Sequence, residues 1–342
     1  MTDVAIIGAG PAGSAAAIEL ARAGARVLML EKAEFPRPKV CGEFLSPEGV
    51  VALRELGVAH LLEGAARMDT GVVVTPSGKR LEFRFPTPAY GLSRARMDHG
   101  LADQAVRLGA DLVTRAEIAS LDPLRCRDGR QFQARVVLLA CGRHSLLNPA
   151  PANGRAWYGF KVHLRSAWPS RLDLHFFPGG YLGIAPIEDG LINACALVEK
   201  NLLKQAQLLV DRTVRGQQVG DYLFTGPLHP GRQSFCILNS AFCIPAGDAA
   251  AFTDPFTGDG ISLALRSGRL AAEHLLRLLE GATAEKVAAR YTRDLRRLCG
   301  RQMSASRLLR AGLARPWIEA PASRLLASTP SLRRLVFRLT RG

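Results

Sequence analysis

Residues 3–31 read DVAIIGAGPAGSAAAIELARAGARVLMLE, and this stretch decides the fold. Asp3–Gly8 is a short apolar run rich in β-branched residues, and it ends in the spacing Gly8-x-Gly10-x-x-Gly13. An alanine-rich helical stretch follows as far as Gly24, and Ala25–Glu31 is a second apolar run. Strand, turn, helix and strand within about thirty residues is the opening of a dinucleotide-binding fold. The glycines serve separate ends: a tight turn, close approach of backbone to a pyrophosphate, and close packing of helix on sheet. The helix that opens at Pro11 and Ala12 offers free N–H groups and a positive dipole end to phosphates. Glu31 lies eighteen residues beyond Gly13, where a carboxylate accepts hydrogen bonds from a ribose 2′-hydroxyl. That favours FAD or NAD over NADP.

Residues 246–261, AGDAAAFTDPFTGDGI, separate the two. An apolar run ending in Gly247-Asp248 puts a carboxylate within reach of a ribityl hydroxyl. Gly258-Asp259-Gly260-Ile261 then opens a second helix, expected over Ser262–Leu279, whose positive end suits the electron-rich edge of a reduced flavin. FAD is the expected cofactor.

With these pieces stand FPRPKVCGEFLSP (35–47), the pair Glu31-Lys32, and Ser93-Arg94-x-x-Met97-Asp98-x-x-Leu101. Together they resemble the flavoproteins that include p-hydroxybenzoate-hydroxylase-like monooxygenases and, more closely, geranylgeranyl reductases. Residues 174–198 and 254–268 are most similar to compact flavin oxidoreductases of bacterial polyketide pathways. The resemblance implies FAD contacts at Ala12, Glu31, Cys41, Gly42, Arg94, Asp248, Gly260 and Ile261, an adenine contact at Ala116, and Pro255 beside the isoalloxazine. Gly8, Gly10, Pro11, Gly13, Lys32, Gly142 and Gly258 complete the expected cofactor-binding set. Where flavin hydroxylases carry Asp-Gly-x-x-Ser-x-x-Arg, residues 140–145 read ACGRHS and Asn148 stands near the place of the arginine. The departure weakens the case for direct use of NAD(P)H, so another reductant or an electron-donor protein is an alternative source. The prenyl reductases' Tyr-x-Trp-x-Phe-Pro is here Tyr181-x-Gly183-x-Ala185-Pro186, which implies a roomier pocket, and the halogenases' Trp-x-Trp-x-Ile-Pro is absent.

Residues 157–165 (WYGFKVHLR) alternate: Tyr158, Phe160, Val162 and Leu164 share one face, Lys161, His163 and Arg165 the other. Residues 172–177 alternate too, so a second, mainly antiparallel sheet covers the flavin. The expected fold class is α/β (α+β overall), with a Rossmann-like FAD-binding domain of the glutathione-reductase/p-hydroxybenzoate-hydroxylase type. Residues 1–70, 94–150 and 236–280 are assigned to that domain, 71–93 and 151–235 to the substrate sheet, and 281–342 to a basic helical segment. Tyr181 is the candidate catalytic group, its hydroxyl placed to orient a phenol or enolate. His163 and His175 read as structural or solvent-facing, Cys41 as a backbone contact to the flavin, and Asp254 and Asp259 as loop-fixing groups.

Length and composition agree: 342 residues, 48% apolar and 22% charged, exclude a disordered chain and allow two domains. Seven scattered cysteines without a CxxC pair signal neither a disulfide framework nor a metal site. No apolar run is long enough to span a bilayer, so cytoplasmic residence is expected. The net charge of +15 is uneven: residues 281–342 hold 14 Lys/Arg and 3 Asp/Glu. That basic end reads as a helical lid with a solvated face, or as a peripheral contact with an anionic membrane; no nucleic-acid motif accompanies it. The expected function is FAD-dependent oxidation, a monooxygenase acting on an aromatic, polyketide-derived or lipid-like molecule. The alternatives are reduction of C=C bonds in a prenyl or lipid chain, and a non-catalytic flavoprotein sensor or scaffold.

Overall fold

The apolar run Thr2–Ile7 forms β1, buried between parallel neighbours β2 (Val27–Leu30) and β9 (Ala134–Leu139). The computed structural model of the chain describes residues 1–143, 156–228, 231–232, 236–237, 242–252 and 258–313, with a few positions from 321 to 329. Around β1 a six-stranded sheet runs β16 (Cys236–Ile237), β17 (Phe242–Pro245), β9, β1, β2, β6 (Asp111–Val113), parallel except at β16. Its strands are apolar on both sides because both faces are covered. Helices α1 (Pro11–Arg22), α3 (Arg94–Arg107) and α5 (Gly260–Leu279) bury one face through Ile6, Ala16, Met29, Leu101 and Leu265. The hairpin of β7 (Ile118–Leu121) and β8 (Leu124–Cys126) covers the other with Ile118, Leu121 and Leu124.

The expected second sheet is present and larger than the alternating stretches alone suggested. Eight strands run β14 (Gln217–Leu228), β10 (Trp157–Arg165), β13 (Leu191–Val198), β12 (Gly180–Pro186), β11 (Arg171–Phe177), β4 (Ala66–Val74), β5 (Arg80–Gly91), β3 (Phe44–Leu45). All pairings are antiparallel except β11 with β4. Phe160, Val162 and Leu164 of β10 lie under α4 (Leu203–Thr213), where they meet Leu182, Ile184 and Val210. The opposite face turns toward the first sheet. Helix α2 (Pro47–Glu55) follows β3 and packs on α5, and a two-strand ladder pairs β15 (Gly231–Arg232) with β18 (Ala251–Phe252).

Helix α6 (Ala284–Leu313) lies against α5. Val287, Ala288 and Tyr291 are buried there, the Tyr291 hydroxyl donates to the Pro245 carbonyl, and His274 of α5 meets Asp294 at 3.1 Å. One face of α6, through Val287, Ala288 and Tyr291, is therefore part of the core. Residues 331–340 of the basic segment lie outside the described residues. Among the described residues no helix is long and apolar enough to cross a membrane.

Candidate active site

The parallel strands β1, β9 and β17 end at one edge, and the loops that leave them line a cleft roofed by the inner face of the second sheet. Gly10, Pro11 and Ala12 come from the start of α1, Ala140, Gly142 and Arg143 from the turn after β9, and Ala246–Asp248 from the turn after β17. The turn Lys39–Phe44 and the start of α5, at Gly258, Gly260 and Ile261, complete the floor. The roof carries Leu172, Leu174, Tyr181, Gly183, Cys195, Leu197 and Leu228.

The floor fits a dinucleotide. Gly8 has φ +98, and a Cβ on it would stand 2.6 Å from the Ala140 carbonyl oxygen; one on Gly13 would stand 1.9 Å from that of Gly8. Strand, turn and helix are thus in backbone contact, which only glycine allows. Gly10 differs. It is extended, and a Cβ there would meet only the tips of Arg94 and Arg37, at 3.7 and 3.8 Å, so the space in front of it is open. Neither α1 nor α5 has a side-chain cap on its first N–H groups, and both point those groups at the cleft.

The charge around this floor is positive. Arg94 is buried and bidentate on Asp98, at 2.7 Å for both bonds; Asp98 also meets Arg37 at 3.2 Å. Burial opposes the Arg94 cation, but the Asp98 carboxylate outweighs it and the guanidinium stays charged. Arg143 stands 3.9 Å from Asp248. Lys39 has no carboxylate or hydrogen-bond partner among the described residues. Burial, reinforced by Arg94 and Arg37, lowers its ammonium from 10.5 to about 8.

Of the residues singled out in the sequence, Gly10, Pro11, Ala12, Cys41, Gly42, Arg94, Gly142, Tyr181, Asp248, Gly258, Gly260 and Ile261 line this cleft. Gly8 and Gly13 shape it from behind. Glu31 is buried and holds the glycine turn: its carboxylate accepts from the Ala9 N–H at 2.9 Å, the Ala33 N–H at 3.1 Å and Arg37 at 3.1 Å. Lys32 is exposed, and Ala116 sits in the second core with its N–H bonded to the Glu31 carbonyl; neither lines the cleft. Pro255, Asp254, His144, Ser145 and Asn148 lie outside the described residues. Asp259 is fully buried and its carbonyl accepts from Leu263 N.

His163 does not face solvent freely. Its Nε2 lies 2.6 Å from Glu43, a wholly buried carboxylate that also binds the buried Lys161. Glu43, Lys161, Asn193, Arg37, Lys39 and Arg143 escaped the reading of the sequence as site residues. The signal for Lys161 was present in WYGFKVHLR, whose alternation puts it on one face with His163. The partner, Glu43, is 118 residues from Lys161, and no local pattern announces it. On the roof, Tyr181 packs with its ring 5.8 Å from that of Phe176 and beside Trp157, Leu197 and Leu228. Burial pushes the Cys195 thiol well above its ordinary range, so it remains a thiol.

Residues 1–148 match the FAD-binding domain family model. Menaquinone reductase of Mycobacterium tuberculosis is 30% identical over 315 residues, which is 80% of this chain and 76% of that protein. Digeranylgeranylglycerophospholipid reductase 2 of Methanopyrus kandleri is 32% identical over 79% of this chain and 76% of its own. The chain belongs to the geranylgeranyl reductase family of flavoproteins. This flavoprotein is an FAD-dependent oxidoreductase. Its fold is shared more widely: the flavin-dependent brominase Bmp2 superposes with a TM-score of 0.81 at 22% identity, covering 99% of this chain and 93% of that one. PqsL of Pseudomonas aeruginosa, a probable FAD-dependent monooxygenase, superposes with a TM-score of 0.75 at 18% identity, over 94% and 98%. At such identities the likeness extends to the fold alone.

Proposed function

We propose that the flavoprotein reduces a C=C bond in an apolar, prenyl- or lipid-like substrate, with FAD lying along the floor of the cleft and the substrate held against the roof. The two reductases named above each share about three quarters of their own length with this chain, and that observation carries the reading. The roof supports it. Leu172, Leu174, Leu197 and Leu228 offer apolar contact along the wall, and Gly183 leaves room beside them. When bound and reduced, FAD supplies a hydride equivalent.

The chain's own residues have separable parts in this reading. Gly10 admits the pyrophosphate, and the N-termini of α1 and α5 face its charge and that of the flavin. Arg94, Arg37 and Lys39 balance the phosphates, and Asp248 and Glu31 accept from hydroxyls. The phosphates of FAD then take up the cationic floor, so the electrons come from NAD(P)H bound loosely or from a donor protein. Tyr181 is the candidate to orient the substrate's reacting end. Residues 1–70, 94–150 and 236–280 would form the FAD domain, with β4, from Ala66 on, given to the substrate sheet.

The product decides the reading. Incubation with a reductant and a polyprenyl lipid should yield a product heavier by two hydrogens. A product heavier by one oxygen would support hydroxylation instead, a second reading that the aromatic pair Phe176–Tyr181 on the roof favours. The basic segment is proposed to bring the protein to an anionic membrane surface through residues beyond the packed half of α6. Each basic group close to such a surface contributes about 1 kcal/mol. Sedimentation with anionic vesicles at low salt, lost at high salt, is the expected result; protein left in the supernatant at low salt would make the segment a structural cap.

A further inference from the structure

Between the cofactor-facing turn and the substrate sheet lies a cluster that the reading above does not use. Glu43 is wholly buried. Its Oε1 accepts from the Arg94 N–H at 2.8 Å and from Lys161 Nζ at 2.5 Å. Its Oε2 lies 2.6 Å from His163 Nε2, and since an ionised carboxylate only accepts, that nitrogen carries the proton between them. Lys161 Nζ and His163 Nε2 are 3.2 Å apart. We propose that Glu43, Lys161 and His163 form a positioning network for the flavin, one that pins the Cys41–Glu43 turn to the substrate sheet and whose opposed charges set how readily the bound cofactor is reduced.

Stability alone does not account for such a cluster, because apolar side chains of the same volume would hold the two sheets at least as well as buried ions. Its geometry is aimed at the turn. Glu43 has φ +52, a left-handed conformation that a non-glycine residue keeps only when its surroundings enforce it. Leu92 N–H donates to its carbonyl at 3.0 Å, and Asn193 Nδ2 donates to the Cys41 carbonyl at 2.9 Å. Cys41 and Gly42, held in this way, form cleft wall, and the Cα of Gly42 faces open space. The same carboxylate receives the N–H of Arg94, whose side chain reaches the floor. Charges buried this deeply are screened far less than surface ones, so an imbalance among them is felt in the cleft. His163 is faced by Glu43 from the turn, by Lys161 and Arg165 on its own strand face, and by Asn193 and Val219 as its register partners on β13 and β14.

The inference rests on the reading that FAD occupies this cleft. Its test is the reduction potential of the bound flavin, with the FAD dissociation constant, in holoenzymes of Glu43→Gln, Lys161→Met and the double variant. Glu43→Gln leaves the Lys161 cation uncompensated, favours the electron-rich reduced flavin and raises the potential. Lys161→Met leaves the carboxylate and lowers it. The double variant returns toward the parent, and each single variant binds FAD about tenfold more weakly. Shifts of the same sign, or none, overturn the proposal; a purely structural cluster would alter affinity without opposed shifts. Should a single variant not fold, substitutions at the half-buried His163 carry the test. His163→Leu removes the donor to Glu43, lowers the flavin potential and weakens FAD binding, whereas His163→Gln, which keeps an N–H donor, stays near the parent on both. Equal effects of the two variants, or none, refute the network. Gly10→Ala separates the two failures: loss of FAD there with unshifted cluster variants sinks this proposal alone, and retention of FAD sinks the reading of the cleft.

Discussion

Two alanine substitutions three residues apart, at Gly10 and Gly13, should have opposite consequences. At Gly13 a Cβ would lie 1.9 Å from the Gly8 carbonyl oxygen, a separation below any real contact, so α1 must move from the turn by about 1 Å. Overpacking of that kind costs about 1–3 kcal/mol of stability. At Gly10 the backbone is extended, which alanine adopts freely, and a Cβ would meet nothing nearer than 3.7 Å. Gly10→Ala should therefore leave the apoprotein within about 0.5 kcal/mol of the parent. The methyl group instead fills the space a pyrophosphate would take. Pushing the phosphates from the α1 N-terminus forfeits up to about 2 kcal/mol, or about 30-fold in FAD affinity. Denaturant unfolding of the apoproteins and titration of each with FAD, read by flavin fluorescence, measure both effects. Parent-like FAD affinity in Gly10→Ala, or a destabilised Gly10→Ala apoprotein, would refute the reasoning.

Other expectations concern the charged floor. Asp98→Asn leaves Arg94 and Arg37 without their shared carboxylate in a buried setting and should cost about 3–5 kcal/mol in denaturant unfolding; a loss below about 1 kcal/mol would mean that the pair is solvated. Lys39→Met should raise apoprotein stability at neutral pH while weakening FAD binding. The sign follows from its ammonium, which titrates at about 8 in the fold against 10.5 ordinarily. Below about 8 the fold carries a charge that burial disfavours, and as pH rises toward 10.5 the unfolded chain binds the extra proton and the parent recovers. The advantage of Lys39→Met should accordingly shrink between these values, and an advantage independent of pH would contradict it.

What could be read from the sequence follows the reach of local physics. Gly8, Gly10 and Gly13 announce a β–turn–α unit because the close approach of Gly13 to the Gly8 carbonyl spans only five residues, and the alternation in residues 157–165 announces a strand of the second sheet. The helix expected from Ser262 begins two residues earlier, at Gly260. The long range was less legible. Glu43 looks like one more polar residue in a glycine turn until the second sheet brings Lys161 and His163 onto it. Glu31 sits where the motif puts it, yet its carboxylate is engaged by Ala9, Ala33 and Arg37, a set that only the folded turn assembles. Strand β4 begins at Ala66 because its pairing with Gly91 of β5 sets its start rather than any pattern of its own.

The most direct test of reduction in this cleft is a single turnover without oxygen. Holoenzyme whose flavin has been fully reduced is mixed anaerobically with a polyprenyl lipid, and the flavin absorbance is followed. The oxidised-flavin spectrum should return at a rate that rises with lipid concentration, one double bond being saturated per flavin reoxidised. A flavin that stays reduced with the lipid and reoxidises only when oxygen is admitted would contradict it.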